Sequence, residues 1–309
     1  MPPFRFGVQL SRAISGRAWR ERARRIEGLG YSTLFMPDHF EDQFGPLVAL
    51  TVAAEATSTL RVGSLVFGND YRHPVVLAKE IATLDVLSEG RVEFGLGAGW
   101  MTSDYRQTGI EEDPPSVRID RMAESLTVMK ALWSTGACTF AGKHYRIDGA
   151  TGEPRPHRRP HPLIVIGGGG PRVLSLAARE ADIVGVNPNF AAGVVGPEVL
   201  ATTTPAAYDE RLEWVRTAAG ERFDALELQC LIFIVRIAPS RRRAVARVAS
   251  ALSVTAEYVA GTPIALIGTT NQIAEMLRER RDRFGFSYIV IHEAAVEALA
   301  PVVAELTGT

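Results

Sequence analysis

The chain has 309 residues, 46% hydrophobic and 22% charged, with a formal net charge of −1. This composition supplies a large core and excludes a disordered chain, and the near-neutral charge excludes the clustered basic excess of a nucleic-acid-binding protein. No run of about 18 apolar residues suits a membrane span, and Cys138 and Cys230 form no redox or metal motif. The start, MPPFRFGVQL, lacks the charged head and apolar run of a secretory signal, so a cytoplasmic protein is expected.

Short β-rich runs alternate with helical patterns along the chain. In order, the predicted strands are FRFGVQL (4–10), STLFMP (32–37), LRVGSLVF (60–67), RVEFGLG (91–97), LIVIGG (163–168), DIVGVN (182–187), LELQCLIFIV (226–235) and SYIVIH (287–292). They are near-continuous apolar runs, as parallel strands buried on both faces require. Between them, 19–30, 73–90, 118–133 and 269–285 carry helical apolar spacing, and the first and last of these stop at glycines. Eight strand–helix pairs predict an α/β fold, a single (β/α)8 barrel over residues 1–309, in preference to a doubly wound sheet with fewer strands. Insertions are expected near 135–162, 188–205 and 252–268, at the carboxyl-terminal face of the strands. The first holds a hairpin (TFAGKHYRI) and then PRPHRRPHP, read as an exposed connector or a basic patch; the other two are rich in Gly, Pro, Thr and Ala.

In such barrels the chemistry sits where the strands end. There the chain offers Asp38 and His39 after the second strand and Gly68-Asn69-Asp70 after the third. GLGAGW (95–100) follows the fourth, IGGGG (166–170) the fifth, Asn187 the sixth, and His292 with Glu293 the eighth. The two glycine clusters would let backbone N–H groups approach an anion, with Pro171 opening a helix behind the second; the plain alternative is that they turn tight corners. Neither matches a P-loop or a dinucleotide fingerprint. His39 is the leading acid/base candidate by its ordinary pKa, whereas a strand would send Asp38 and His39 to opposite faces unless Pro37 turns the chain. His73, before Pro74, reads as structural, and no histidine spacing suits a metal.

The ordered set MPDHF, NDYRHP, TLDVLSEGRVEFGLGAGW, FAGKHY and IGGGG followed by AREADIV resembles the luciferase-like monooxygenase superfamily, in its coenzyme F420-dependent oxidoreductase branch. The resemblance covers essentially the full length. It implies a deazaflavin or flavin in the barrel mouth, usually in a homodimer. Catalytic roles would fall on His39 and Asp38, with the histidine near the reactive ring. A non-proline cis peptide at the end of the third strand would fall at Leu65–Val66, against the cofactor. Asn69, the loop Gly97, Ala98, Gly99 and Trp100, and the glycines Gly167, Gly168 and Gly169 would complete the cofactor site. Many relatives carry asparagine where this chain has Met101, leaving Thr102 or Ser103 to supply that contact, and glutamate where it has Asp104.

The resemblance thus implies hydride transfer between the C5 of coenzyme F420 and a small organic substrate. Two alternatives stand beside it: a reduced-FMN-dependent monooxygenase fed by a separate reductase, and a barrel that binds a cofactor or ligand without turnover. Phe190, Val194 and Ile264 in the insertions predict a partly apolar pocket wall.

Overall fold

A computed structural model describes residues 2–194 and 196–309. Eight parallel strands close a barrel: β1 (Arg5–Gln9), β2 (Thr33–Met36), β3 (Arg61–Ser64), β4 (Val92–Gly97), β5 (Leu163–Gly168), β6 (Ile183–Val186), β7 (Glu227–Ile232) and β8 (Phe286–His292). Closure runs through β1–β8 (Gly7 opposite Val290) and β3–β4 (Val62 opposite Val92), with Phe67–Gly68 extending the third strand beside β4. The fold is therefore the (β/α)8 barrel that the alternation of apolar runs and helical patterns predicts.

Barrel closure accounts for part of the glycine pattern. A methyl group at Gly63 would lie 2.2 Å from the Glu93 carbonyl oxygen, and one at Gly95 would lie 1.9 Å from that of Ser64. Only residues without a Cβ let β3 and β4 approach this closely. Inside the barrel, at the end where the strands begin, sits a charged cluster. Arg5 and Arg61 both donate to the fully buried Glu93, Arg5 also binds Glu227, and the Tyr288 hydroxyl donates to Glu93 at 2.9 Å. Above it, Phe35, Leu65, Val165, Ile183, Leu231 and Val290 fill the bore. The outer core packs Trp19, Phe94, Trp133 and the apolar faces of the helices against the strands.

The sequence and the structure part company in three places. The run 226–235 is longer than a barrel strand, and the chain leaves the barrel at Phe233; Ile234–Ile237 instead pairs in parallel with Ala265–Gly268. That second strand, and the helix Ala256–Gly261 before it, lie in the segment read as irregular, because short elements give little periodicity. The insertion 135–162 lies at the opposite end of the barrel from the mouth. Its hairpin (Ala137–Ala141 with Arg146–Thr151) follows the helix Pro115–Ser134, and the Arg158 N–H then donates to Asp85 at 2.8 Å, just ahead of β4 and β5. Arg155 is turned back onto the Trp133 carbonyl. PRPHRRPHP is thus a connector at the strand beginnings, held away from any cofactor site. Segment 188–205 does follow a strand end, that of β6, whereas 252–268 follows the helix Arg241–Leu252 within the excursion between β7 and β8; the two are tied to each other by Tyr258 to Leu200 (2.9 Å) and Thr262 to Thr203 (2.7 Å).

Candidate active site

Beyond Met36 the chain turns at Pro37, and the two residues after it diverge. The Asp38 carboxylate accepts the Gly68 N–H at 3.0 Å and a two-pronged contact from Arg72, with the Nη2 arm at 3.1 Å. Asp38 is buried, and it braces the loop after β3. His39 instead directs Nδ1 at the Asp104 carboxylate, 2.7 Å away. Neighbours in sequence, the acid and the imidazole serve different partners.

Asp104 is fully buried and also accepts the Tyr71 hydroxyl at 3.3 Å and the Phe40 N–H at 3.4 Å. A carboxylate can only accept, so it holds His39 as the Nδ1–H tautomer. The other ring nitrogen makes no hydrogen bond among the described residues and can act as base or donor. Beside this pair, desolvation by burial, then the Asp104 charge, push the Tyr71 phenol well above its ordinary value, so it remains a donor. Tyr105, in the same short helix (Thr102–Thr108), donates to Asp70 at 3.0 Å, and Arg121 secures Asp70 at 2.8 Å. The resemblance marks Asp104 only as an acid where glutamate is commoner. The usable signal is position: an acid in the first turn of a helix directly after a barrel strand.

The Leu65–Val66 peptide is cis, at the position the resemblance implies. The buried Gln9 amide donates to the Leu65 carbonyl at 2.9 Å, an anchor that its place inside a strand conceals. Asn69 is buried, and its Nδ2 has no hydrogen-bond partner among the described residues. A methyl group at Gly97 would lie 2.4 Å from Val66 Cγ2, so this glycine admits the Val66 side chain. Gly99 adopts a left-handed φ of 77° under the Tyr105 hydroxyl, carrying the chain from Ala98 into Trp100. Gly167 faces the Asn187 side chain, Gly168 faces Val173, and a methyl group at Gly169 would lie 2.3 Å from the Pro188 carbonyl oxygen. A methyl group at Gly170 would meet nothing within 4 Å among the described residues, and Gly170 opens the helix Pro171–Glu180 without a side-chain cap. Its first-turn N–H groups are therefore a ready anion cradle.

These features fit a phosphate-bearing ring cofactor: an uncapped helix start behind glycines for the tail, and an orphaned buried amide at Asn69 beside the Leu65–Val66 turn. Among the described residues no cluster of three or more His, Cys, Asp or Glu side chains could hold a metal, and no helix is long and apolar enough to cross a membrane.

His292, at the end of β8, is largely desolvated, which lowers its pKa below the ordinary 6.5. Its ring lies 5.4 Å from that of Phe233, the residue at which β7 leaves the barrel. Phe190 stands in the mouth beside Trp100, whereas Val194 is exposed and Ile264 contributes its carbonyl to the Phe233 and Ile234 N–H groups.

Similarity to known proteins follows the same lines. An F420-dependent glucose-6-phosphate dehydrogenase of Amycolatopsis mediterranei is 32% identical over 170 residues, 52% of this chain and 50% of that enzyme. An FMNH(2)-dependent dimethylsulfone monooxygenase of Pseudomonas putida is 30% identical over 142 residues, 45% of this chain and 38% of the other. The chain thus matches half or less of the length of these two relatives. The coenzyme F420-dependent tetrahydromethanopterin reductase of Methanopyrus kandleri superposes with a TM-score of 0.79 over 99% of this chain and 98% of its own, at 17% identity, a likeness of fold. The family model for luciferase-like monooxygenases matches residues 1–196, which hold β1 to β6, the His39–Asp104 pair and both glycine loops. The chain belongs to the luciferase-like monooxygenase family.

Proposed function

We propose that the chain is a coenzyme F420-dependent oxidoreductase acting on a small organic substrate, with His39 as its proton-handling residue. The observation that carries this reading is the His39–Asp104 contact at 2.7 Å, which fixes one nitrogen of an imidazole at the barrel mouth and leaves the other free. The relatives that use coenzyme F420 support the choice of cofactor.

A bound 5-deazaflavin supplies two-electron hydride exchange at its C5. What the chain then has to do is hold the ring, keep water out and move one proton. Leu65–Val66, Asn69, and Ala98 to Trp100 would hold the ring and its side chain. The first turn after Gly167–Gly170 would take the phosphate. His39 Nε2 would take a proton from a substrate hydroxyl, or return one to a carbonyl oxygen. Asp104 would steady the imidazolium that results, a positioning role. Asp38 would act through the backbone, keeping Gly68 and Arg72 in place beneath the cofactor.

The reduced-FMN monooxygenase reading is favoured by the P. putida relative and would add a separate reductase as partner. Paired titrations of the apoprotein with coenzyme F420 and FMN, each oxidised and reduced, separate the two. Tighter binding of the deazaflavin upholds the proposal, preference for reduced FMN replaces it, and failure of both removes the cofactor assignment. A cytoplasmic homodimer completes the proposal. Val48 and Val76, 75% and 53% exposed on the helices Pro46–Ala56 and Pro74–Leu87, are the surface a second copy would cover, and sedimentation equilibrium tests it.

A further inference from the structure

A row of rings crosses the barrel mouth. His39 stands edge-on to Trp100 with centroids 5.7 Å apart, Trp100 lies 4.9 Å from Phe190, Phe190 6.4 Å from Phe233, and Phe233 5.4 Å from His292. The five come from the ends of β2, β4, β6, β7 and β8, so the row is assembled by the barrel and not by one segment. Each support is fixed. The Asn189 side chain accepts the Ala191 N–H at 3.0 Å around Phe190, the Thr102 N–H donates to the Gly193 carbonyl at 3.2 Å, and the Phe233 N–H donates to Ile264 at 3.0 Å. None of Trp100, Phe190 and Phe233 is buried, and Phe233 is 38% exposed. Held apolar surface at the mouth of a catalytic barrel is surface for a ligand.

Charge narrows the ligand. No member of the row is a lysine or arginine. Arg72 is taken by Asp38, Arg22 by Glu293, and the buried Arg211 by the carbonyls of Gly169 (3.1 Å) and Thr202 (2.7 Å), while Arg12, in the loop after β1, is exposed and stacks on no ring of the row. Behind the His39 end lies the buried Asp104 carboxylate, which repels an anion. At the other end, burial keeps the His292 imidazole neutral, with one N–H and one lone pair to offer.

We propose that this row is the substrate subsite, and that the substrate is an uncharged hydroxy or oxo compound with a cyclic apolar body. The body lies against Trp100, Phe190 and Phe233, the reacting oxygen meets His39, and the far end meets His292. The assignment deepens the oxidoreductase reading and rests on it for the reaction, while binding of the body does not require the cofactor.

Calorimetric titration of the whole chain with benzyl alcohol, and separately with glucose 6-phosphate, with and without coenzyme F420, tests it. Benzyl alcohol should saturate and bind at least about tenfold more tightly than the phosphate ester. Phe233→Ala and the milder Phe233→Leu should each weaken it, the former by about tenfold, while coenzyme F420 affinity stays within about threefold. Absence of saturable benzyl alcohol binding in both states overturns the subsite, and so does equal or tighter binding of glucose 6-phosphate. A drop in coenzyme F420 affinity as large as that for benzyl alcohol assigns the row to the cofactor and overturns it too. Should coenzyme F420 fail to bind while benzyl alcohol still depends on Phe233, the subsite stands and the oxidoreductase reading falls.

Discussion

Replacing Asp104 by asparagine preserves shape and removes the charge behind His39. Three donors meet this carboxylate: His39 Nδ1 at 2.7 Å, the Tyr71 hydroxyl at 3.3 Å and the Phe40 N–H at 3.4 Å. An asparagine has one acceptor oxygen. His39 and Tyr71 meet Oδ2 while Phe40 meets Oδ1, so if the amide oxygen keeps Phe40, the NH2 group faces both the Tyr71 hydroxyl, which can accept, and His39 Nδ1, which must then become an acceptor and send its proton to Nε2. The free nitrogen at the mouth would change from base to donor. The variant forgoes one hydrogen bond to a charged group, worth about 1.5–3 kcal/mol. Turnover in the direction that needs a base should fall by about 10- to 150-fold, at saturating cofactor and substrate. Cofactor affinity should stay within about threefold, since Asp104 touches none of the residues assigned to the tail. Nitrogen-15 chemical shifts of the His39 ring provide the independent readout, because Nδ1 and Nε2 should exchange protonated and unprotonated character. Turnover within twofold of the parent, or an unchanged tautomer, refutes the positioning role, provided the thermal midpoint shows the variant folded.

His39→Ala should lower turnover by about 10²–10⁴-fold with little effect on cofactor binding, and stopped-flow reduction of the bound cofactor reads the step; unchanged turnover removes His39 from the mechanism. Glu93→Gln leaves the Arg5 and Arg61 guanidinium groups without their common acid and should cost about 3–5 kcal/mol in urea unfolding. A cost under about 1 kcal/mol would mean that Glu227 suffices for Arg5 and water for Arg61. His292 has a folded pKa below its ordinary 6.5, so the unfolded chain binds more protons in between, and stability should decline as pH falls from about 6.5 toward the folded value. His292→Phe should flatten that decline, and an identical slope in the variant contradicts the desolvated state of His292.

What the sequence discloses follows the range of the interaction responsible. The barrel is legible because its signal is repeated and local. Each stave is a run of consecutive apolar residues, and each return helix repeats its apolar positions every three or four residues. The hairpin in 137–151 is legible for the same reason. The split at Phe233 is not, since LELQCLIFIV reads as one strand and only the width of the barrel decides where it must stop. The site divides along the same line. His39 can be found by residue type and by its place after a strand. Its partner cannot, because Asp38 is adjacent in sequence while Asp104 is 65 positions away and becomes adjacent only when β2 and β4 end on the same rim. The glycines are more instructive still. GLGAGW invites one explanation, yet Gly95 admits a backbone carbonyl, Gly97 admits Val66, and Gly99 alone takes a left-handed turn. A glycine in sequence records only that something needs the space of a Cβ. Whether that something is a neighbouring strand or a cofactor is decided by atoms that lie far along the chain.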